Sequence, residues 1–137
     1  MDAPSIADRK LGYFVLRFVL GFSILMHGLV RLPHLGAFAD GLVKQFAGTI
    51  LPATLVRWFG LSLVFAETLI GLLVLLGLWS RWALLLGAAC MASLIFGTAL
   101  RSEWNTLAIQ LFYALLYAAL IATREYNSYS VDGLAGR

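Results

Sequence analysis

The chain is short of the residues from which most redox and cofactor sites are built. It has one cysteine, Cys90, in 137 residues, so it cannot form an intramolecular disulfide or supply a cysteine cluster or zinc ligand set. Cys90 lies midway along an apolar stretch and reads as a small packing residue. Its two histidines, His27 and His34, sit at the end of one stretch and in the loop after it, whereas a bis-histidine haem needs histidines on facing helices. No glycine-rich dinucleotide fingerprint is present, so the chain carries no metal, haem or dinucleotide motif. Charged residues make up 12%, against roughly a quarter in an ordinary soluble domain. The net charge of +3 comes from flanking basic residues, without a basic stripe interleaved with aromatics, and this excludes nucleic acid as a partner.

What the chain has in abundance is apolar length. Hydrophobic residues make up 61%, in stretches at 11–30, 55–78, 82–100 and 107–123. Each stretch is about 20 residues, enough at 1.5 Å per residue to cross about 30 Å of hydrocarbon. In lipid the backbone must satisfy its own hydrogen bonds, so spans of this length are helices. The expectation is one all-α domain over residues 1–137, an integral membrane four-helix antiparallel bundle. Arg9 and Lys10, the apolar run and Ala37-Phe38-Ala39 imitate a secretory leader with its cleavage site. The apolar stretch is too long for one and contains Arg17, so it is read as the first span.

The second and third spans are joined by a tight turn around Trp79 and Arg81, and the third and fourth by another at 101–105. The connection at 31–54 is longer and punctuated by Pro33, Gly36, Gly41, Gly48 and Pro52. Phe38, Leu42, Val43 and Phe46 recur there at helical spacing, predicting a short amphipathic helix at the interface that lids the open end of the bundle. Basic residues divide five against four between the two sides and favour cytoplasmic termini only slightly. The expected location is a bacterial-type cytoplasmic (inner) membrane. Trp58 and Trp104 mark one interface, Trp79 and Trp82 the other. Membrane lipid is the expected surrounding, and a second copy of the chain is an open partner.

Ionisable groups inside such spans are costly and mark function by default. Arg17, Gly21, Ile24, Gly28 and Arg31 form one stripe of the first helix, with His27 a turn before Arg31. Glu67 lies near the middle of the second span, where a bare carboxylate is untenable without a proton, a cation or a wet cavity. The fourth span adds Asn105, Gln110, Tyr113 and Tyr117. At 1.5 Å per residue, His27 is about 6 Å from the level of Arg31, Gln110 about 8 Å from Asn105 and Glu67 about 15 Å in from Arg57. An antiparallel layout therefore gathers Arg31, Arg57 and Arg101 into a funnel leading to His27, Gln110 and Glu67. The bland alternatives are headgroup-facing arginines, a purely structural pairing of Glu67 with Arg17 or Arg31, and a packing role for His27.

A protonatable acid, a histidine titrating near neutrality and a cation suit a quinone head group, whose reduction takes up two electrons and two protons. The arginine funnel equally attracts a small oxyanion. In either case the electrons pass directly between substrates or come from a partner subunit.

Three stretches resemble the DoxX family of small membrane proteins, which includes subunits of thiosulfate:quinone oxidoreductase. LRFVLGFSILMHGLVRL (16–32) is similar to the family's first helix, FAETLIGLLVLLGLWSRWALL (65–85) to its central hairpin, and REYNSYSVDGL (124–134) to its tail. The resemblance picks out Arg17, Gly21, His27, Gly28, Arg31, Glu67, Gly71, Gly77, Arg81, Tyr129, Ser130 and Asp132. Arg31 stands where many members have lysine, and Glu125-Tyr126-Asn127-Ser128 replaces the tail's paired glycines. The layout is also similar to that of disulfide-exchanging four-helix enzymes such as vitamin K epoxide reductase, but a single cysteine rules out their mechanism.

The resemblance implies a membrane protein of a redox system, with a quinone (as substrate) or a small sulfur oxyanion in its polar pocket. Glu67 is then proton acceptor or counter-ion, His27 hydrogen-bond donor or proton relay, and Arg31 and Arg17 the cations facing a bound oxygen. Gln110 orients the substrate, and Arg57, Arg101 and Tyr113 complete its surroundings. Two other readings stay open: a non-catalytic scaffold or anchor subunit for a partner oxidoreductase, and, ranked lower, a small-solute permease, which lacks inverted repeats or broken helices.

Overall fold

A computed structural model describes residues 5–136. Among these residues there is no strand. The elements are α1 (Ile6–Arg31), a 3-10 turn (Leu32–His34), α2 (Leu35–Gln45), α3 (Ala53–Leu76), α4 (Ser80–Leu100), α5 (Trp104–Ala122), a second 3-10 turn (Arg124–Tyr126) and the short α6 (Val131–Leu134). Four helical stretches are long and apolar enough to cross a membrane. The first extends through α2, from Ile6 to Gln45, well beyond the apolar run at 11–30. The segment expected to be a long loop is therefore mostly helix. Between α1 and α2 the break falls at Pro33, whose missing N–H and ring disturb the α ladder and leave a single 3-10 turn, and residues 46–52 turn the chain into α3.

Local chemistry sets the helix ends. Ser5 opens α1 with a capping box: its hydroxyl accepts from the Asp8 N–H while the Asp8 carboxylate accepts from the Ser5 N–H. Gly77 closes α3 in the left-handed region at φ 64°, a conformation glycine adopts without a Cβ penalty.

The tightest contact joins α1 to α3. Gly21 lies against the backbone of Val74 and Leu75, Gly71 against that of Ile24 and Leu25, and Gly28 against Thr68. Numbers fall on α3 as they rise on α1, so these two helices run in opposite directions. A Cβ at any of the three glycines would strike neighbouring backbone, which is how small residues let helices approach where lipid offers no hydrophobic drive. On the other side of the core, Gly87 of α4 receives the ring of Tyr117 from α5. α2 packs onto α3 through Ala39 and Leu42 at Gly60. The core between these contacts is Leu20, Ile24, Ile70, Val74, Leu84, Met91 and Leu120. Outward-facing Val19, Phe22, Phe65, Leu69, Leu86, Phe96, Phe112 and Leu115 are each more than half exposed. So much exposed apolar surface is a liability in water and a match for acyl chains.

Candidate functional site

The α1–α3 register carries its consequence one turn past Gly28. Having placed Gly28 on Thr68, it brings Arg31, the last residue of α1, beside Glu67 in the middle of α3. The Arg31 guanidinium donates to Glu67 Oε2 at 2.5 Å, and Glu67 is 4% exposed. An acid this deep needs a cation with good hydrogen-bond geometry to offset its lost hydration. The guanidinium also lies over the Phe38 ring, 4.7 Å from its centroid, so α2 covers the pair from above.

Beside the pair is a cavity of about 550 Å³ bounded by residues of all five long helices. That volume falls within the range of small-molecule sites, roughly 300–1,000 Å³. Most of its wall is apolar, with Phe38 and Leu42 from α2, Phe46 just after it, Leu63 from α3 and Met91 and Leu94 from α4. Its polar groups are few: His27, Arg31, Glu67, Thr98, Arg101, Thr106, Gln110 and Tyr113 among them.

His27 donates from Nδ1 to the Ser23 carbonyl at 2.7 Å. A carbonyl only accepts, so Nδ1 carries the hydrogen and the neutral ring keeps Nε2 as a proton acceptor. The Tyr113 ring meets the imidazole edge-on at 6.3 Å, and the Tyr113 hydroxyl shares a 2.9 Å hydrogen bond with the Ser23 hydroxyl. One turn earlier on α5, Gln110 Oε1 is buried without a hydrogen-bond partner among the described residues. Such an orphan costs on the order of 1–3 kcal/mol, so the site offers an acceptor that a ligand's donor would satisfy. Arg101 donates to Glu103 at 3.0 Å and lies 5.3 Å from the centroid of the Phe46 ring.

Of the eight residues singled out in the sequence, the structure gathers Glu67, His27, Arg31, Gln110, Arg101 and Tyr113 around this cavity. Arg57 pairs instead with Asp40 of α2 on an exposed face. Arg17 is the larger departure. It is 2% exposed but sits near the middle of α1, donating to the carbonyls of Val74, Leu75 and Tyr129, each at 2.6 Å. There it satisfies carbonyls at the end of α3 that have no partner within the helix, so it is not a cation of the cavity. Both arginines share the α1 stripe, but they are fourteen residues and about 21 Å apart at 1.5 Å per residue, so one carboxylate cannot meet both. Thr98 and Thr106 went unnoticed in the sequence. The signal for Thr106 was present, since Thr106, Gln110 and Tyr113 follow a 4-3 spacing on α5.

The tail forms a second polar cluster with Arg17. Asp132 accepts from the Trp79 and Ser80 N–H groups at 2.9 and 2.7 Å, capping α4 from a distance in sequence. Its own N–H donates to the Gly77 carbonyl at 3.0 Å. Asn127 Nδ2 donates to the Ser80 hydroxyl at 2.8 Å. A Cβ at Gly77 would run into Ser130 and Arg17, so glycine serves both the turn and this packing.

Comparison with family models, curated proteins and solved structures finds no match for this chain.

Proposed function

We propose that this chain is a membrane protein of a redox system, DoxX-like as its motifs suggest, whose cavity beside Arg31–Glu67 holds a quinone head group. In this reading the four apolar helices form an antiparallel bundle in a cytoplasmic membrane with both termini inside, and α2 lies at the outer interface as a lid. The observation that carries the reading is one cavity combining a long apolar wall with the ion pair of buried Glu67 and half-buried Arg31, the Nδ1-anchored imidazole of His27 and the orphaned oxygen of Gln110. A quinol offers two hydroxyl donors, which suit Gln110 Oε1 and His27 Nε2. Conversion between quinone and quinol moves two electrons and two protons; His27 and Glu67 handle the protons, and a partner oxidoreductase or a reduced sulfur substrate exchanges the electrons. A small sulfur oxyanion fits less well as the occupant, because Glu67 already neutralises Arg31 and most of the wall is apolar.

Replacing Glu67 with glutamine should lower quinone-dependent turnover in membranes by on the order of 10²-fold, the usual reach of acid–base catalysis. Undiminished turnover in that variant removes Glu67 from the chemistry.

The closed geometry of the Arg31–Glu67 pair also favours a second reading, in which it only fastens α1 to α3 and the protein anchors a soluble oxidoreductase. Capture of a flavin or metal enzyme by a chain that binds no quinone would support this reading over the first.

A further inference from the structure

We propose that a second cavity, at the opposite end of the molecule, binds an anionic phospholipid head group: a phosphodiester whose distal group bears hydroxyl donors. The cavity has a volume of about 730 Å³ and opens between the start of α4, the end of α5 and the tail. Both apolar helices end there, so in a membrane it lies at head-group level. Trp79 and Trp82 on its rim are 58% and 65% exposed, the amphipathic rings expected at that depth.

The cations around it are not held in ion pairs. Arg81 and Arg124 both line the cavity, and among the described residues neither takes part in an ion pair. The guanidinium of Arg81 rests over Trp82 at 5.8 Å, which supports its stem and leaves its donors available. Two carboxylates line the same space, Asp132 and Glu125. Asp132 is already engaged by the N–H groups of Trp79 and Ser80. The four charged side chains of the lining cancel in sum, and the buried Arg17 guanidinium near Asp132 leaves the region one net positive charge, which a monoanionic phosphodiester balances. Planar guanidinium forks match the geometry of its oxygens.

Asn127 argues for the distal hydroxyls. Its side chain lines the cavity with the amide nitrogen fixed on the Ser80 hydroxyl, which leaves Oδ1 buried and without a hydrogen-bond partner among the described residues. An orphaned acceptor beside two cations fits a ligand that carries phosphate and donor together. A bare phosphodiester meets only half of that requirement. The site stands whether or not the first cavity turns over a quinone.

The test uses the full chain in detergent, titrated with single lipids and followed by native mass spectrometry. Phosphatidylglycerol should bind at least tenfold more tightly than phosphatidylcholine. It should also bind several-fold more tightly than phosphatidylmethanol, which has the same charge but no hydroxyl. The exposed double substitution Arg81→Gln/Arg124→Gln should abolish the preference over phosphatidylcholine without changing the melting temperature in lipid-free detergent, while Lys44→Gln should leave binding unchanged. Equal binding of all three lipids, or a preference that survives in the double variant, would overturn the proposal. So would inorganic phosphate displacing the lipid at equal concentration, since the ligand would then be a free anion.

Discussion

At the scale of single residues, the Arg31–Glu67 pair carries most of the consequences. Leaving Glu67 buried alone costs about 3–5 kcal/mol, leaving the 31% exposed Arg31 alone costs less, and replacing both members of such a pair with apolar side chains is often neutral or stabilising. Arg31→Met and Glu67→Met should each lower the midpoint of thermal unfolding in detergent, and the double variant should recover most of the loss while staying unable to support quinone turnover. If the double variant recovers activity as well as stability, the pair is a fastener only. That Glu67 needs a proton, a cation or a wet cavity was legible from its place in an apolar run, and the structure supplies a cation. Which cation was not, because Arg17 and Arg31 share a stripe and only the register of α1 on α3 decides between them. The Nδ1–Ser23 hydrogen bond was equally out of reach, since a tautomer depends on a contact and not on spacing.

At the scale of elements, the glycines decide how close α1 and α3 come. Gly71→Leu places side-chain atoms where the Leu25 backbone runs. Overpacking of this kind costs typically about 1–3 kcal/mol, so the variant should unfold at a markedly lower temperature, and an unchanged melting curve would mean the helices do not pack through Gly71. The sequence put Gly21 and Gly28 on one stripe of the first helix but could not pair them with Gly71 or Thr68 across helices. It also read 31–54 as a connection holding one short helix, and α2 at Leu35–Gln45 is that helix. It begins directly after the Pro33 break and so nearly continues α1, because one proline disrupts a ladder locally while Phe38 and Leu42 still profit from a shared face. The tail motif was legible through resemblance alone. Its physical role, Asp132 capping α4 across fifty residues of chain, is a tertiary contact that no local spacing encodes. Asp132→Ala removes the partner of two N–H groups, one of them on buried Ser80, and should destabilise by about 1–3 kcal/mol, measured by denaturant unfolding in mixed micelles. No loss there would mean that water replaces the cap.

At the scale of the whole molecule, the apolar exterior and the two polar ends divide the work. Length and hydropathy made the four apolar helices readable, because a membrane restricts the chain to helices of known minimum length. The separation of polar groups into two clusters was not readable, since the sequence placed Arg17 with the first cluster and the fold places it with the second. The cavity beside Arg31–Glu67 is the centre of the functional account, and direct binding tests it best. A short-chain quinone titrated into the purified protein by calorimetry should bind one equivalent per chain. Affinity should fall at least tenfold in Gln110→Leu, which removes the orphaned acceptor from the wall. No binding to the unaltered chain, or equal affinity in both, contradicts the account.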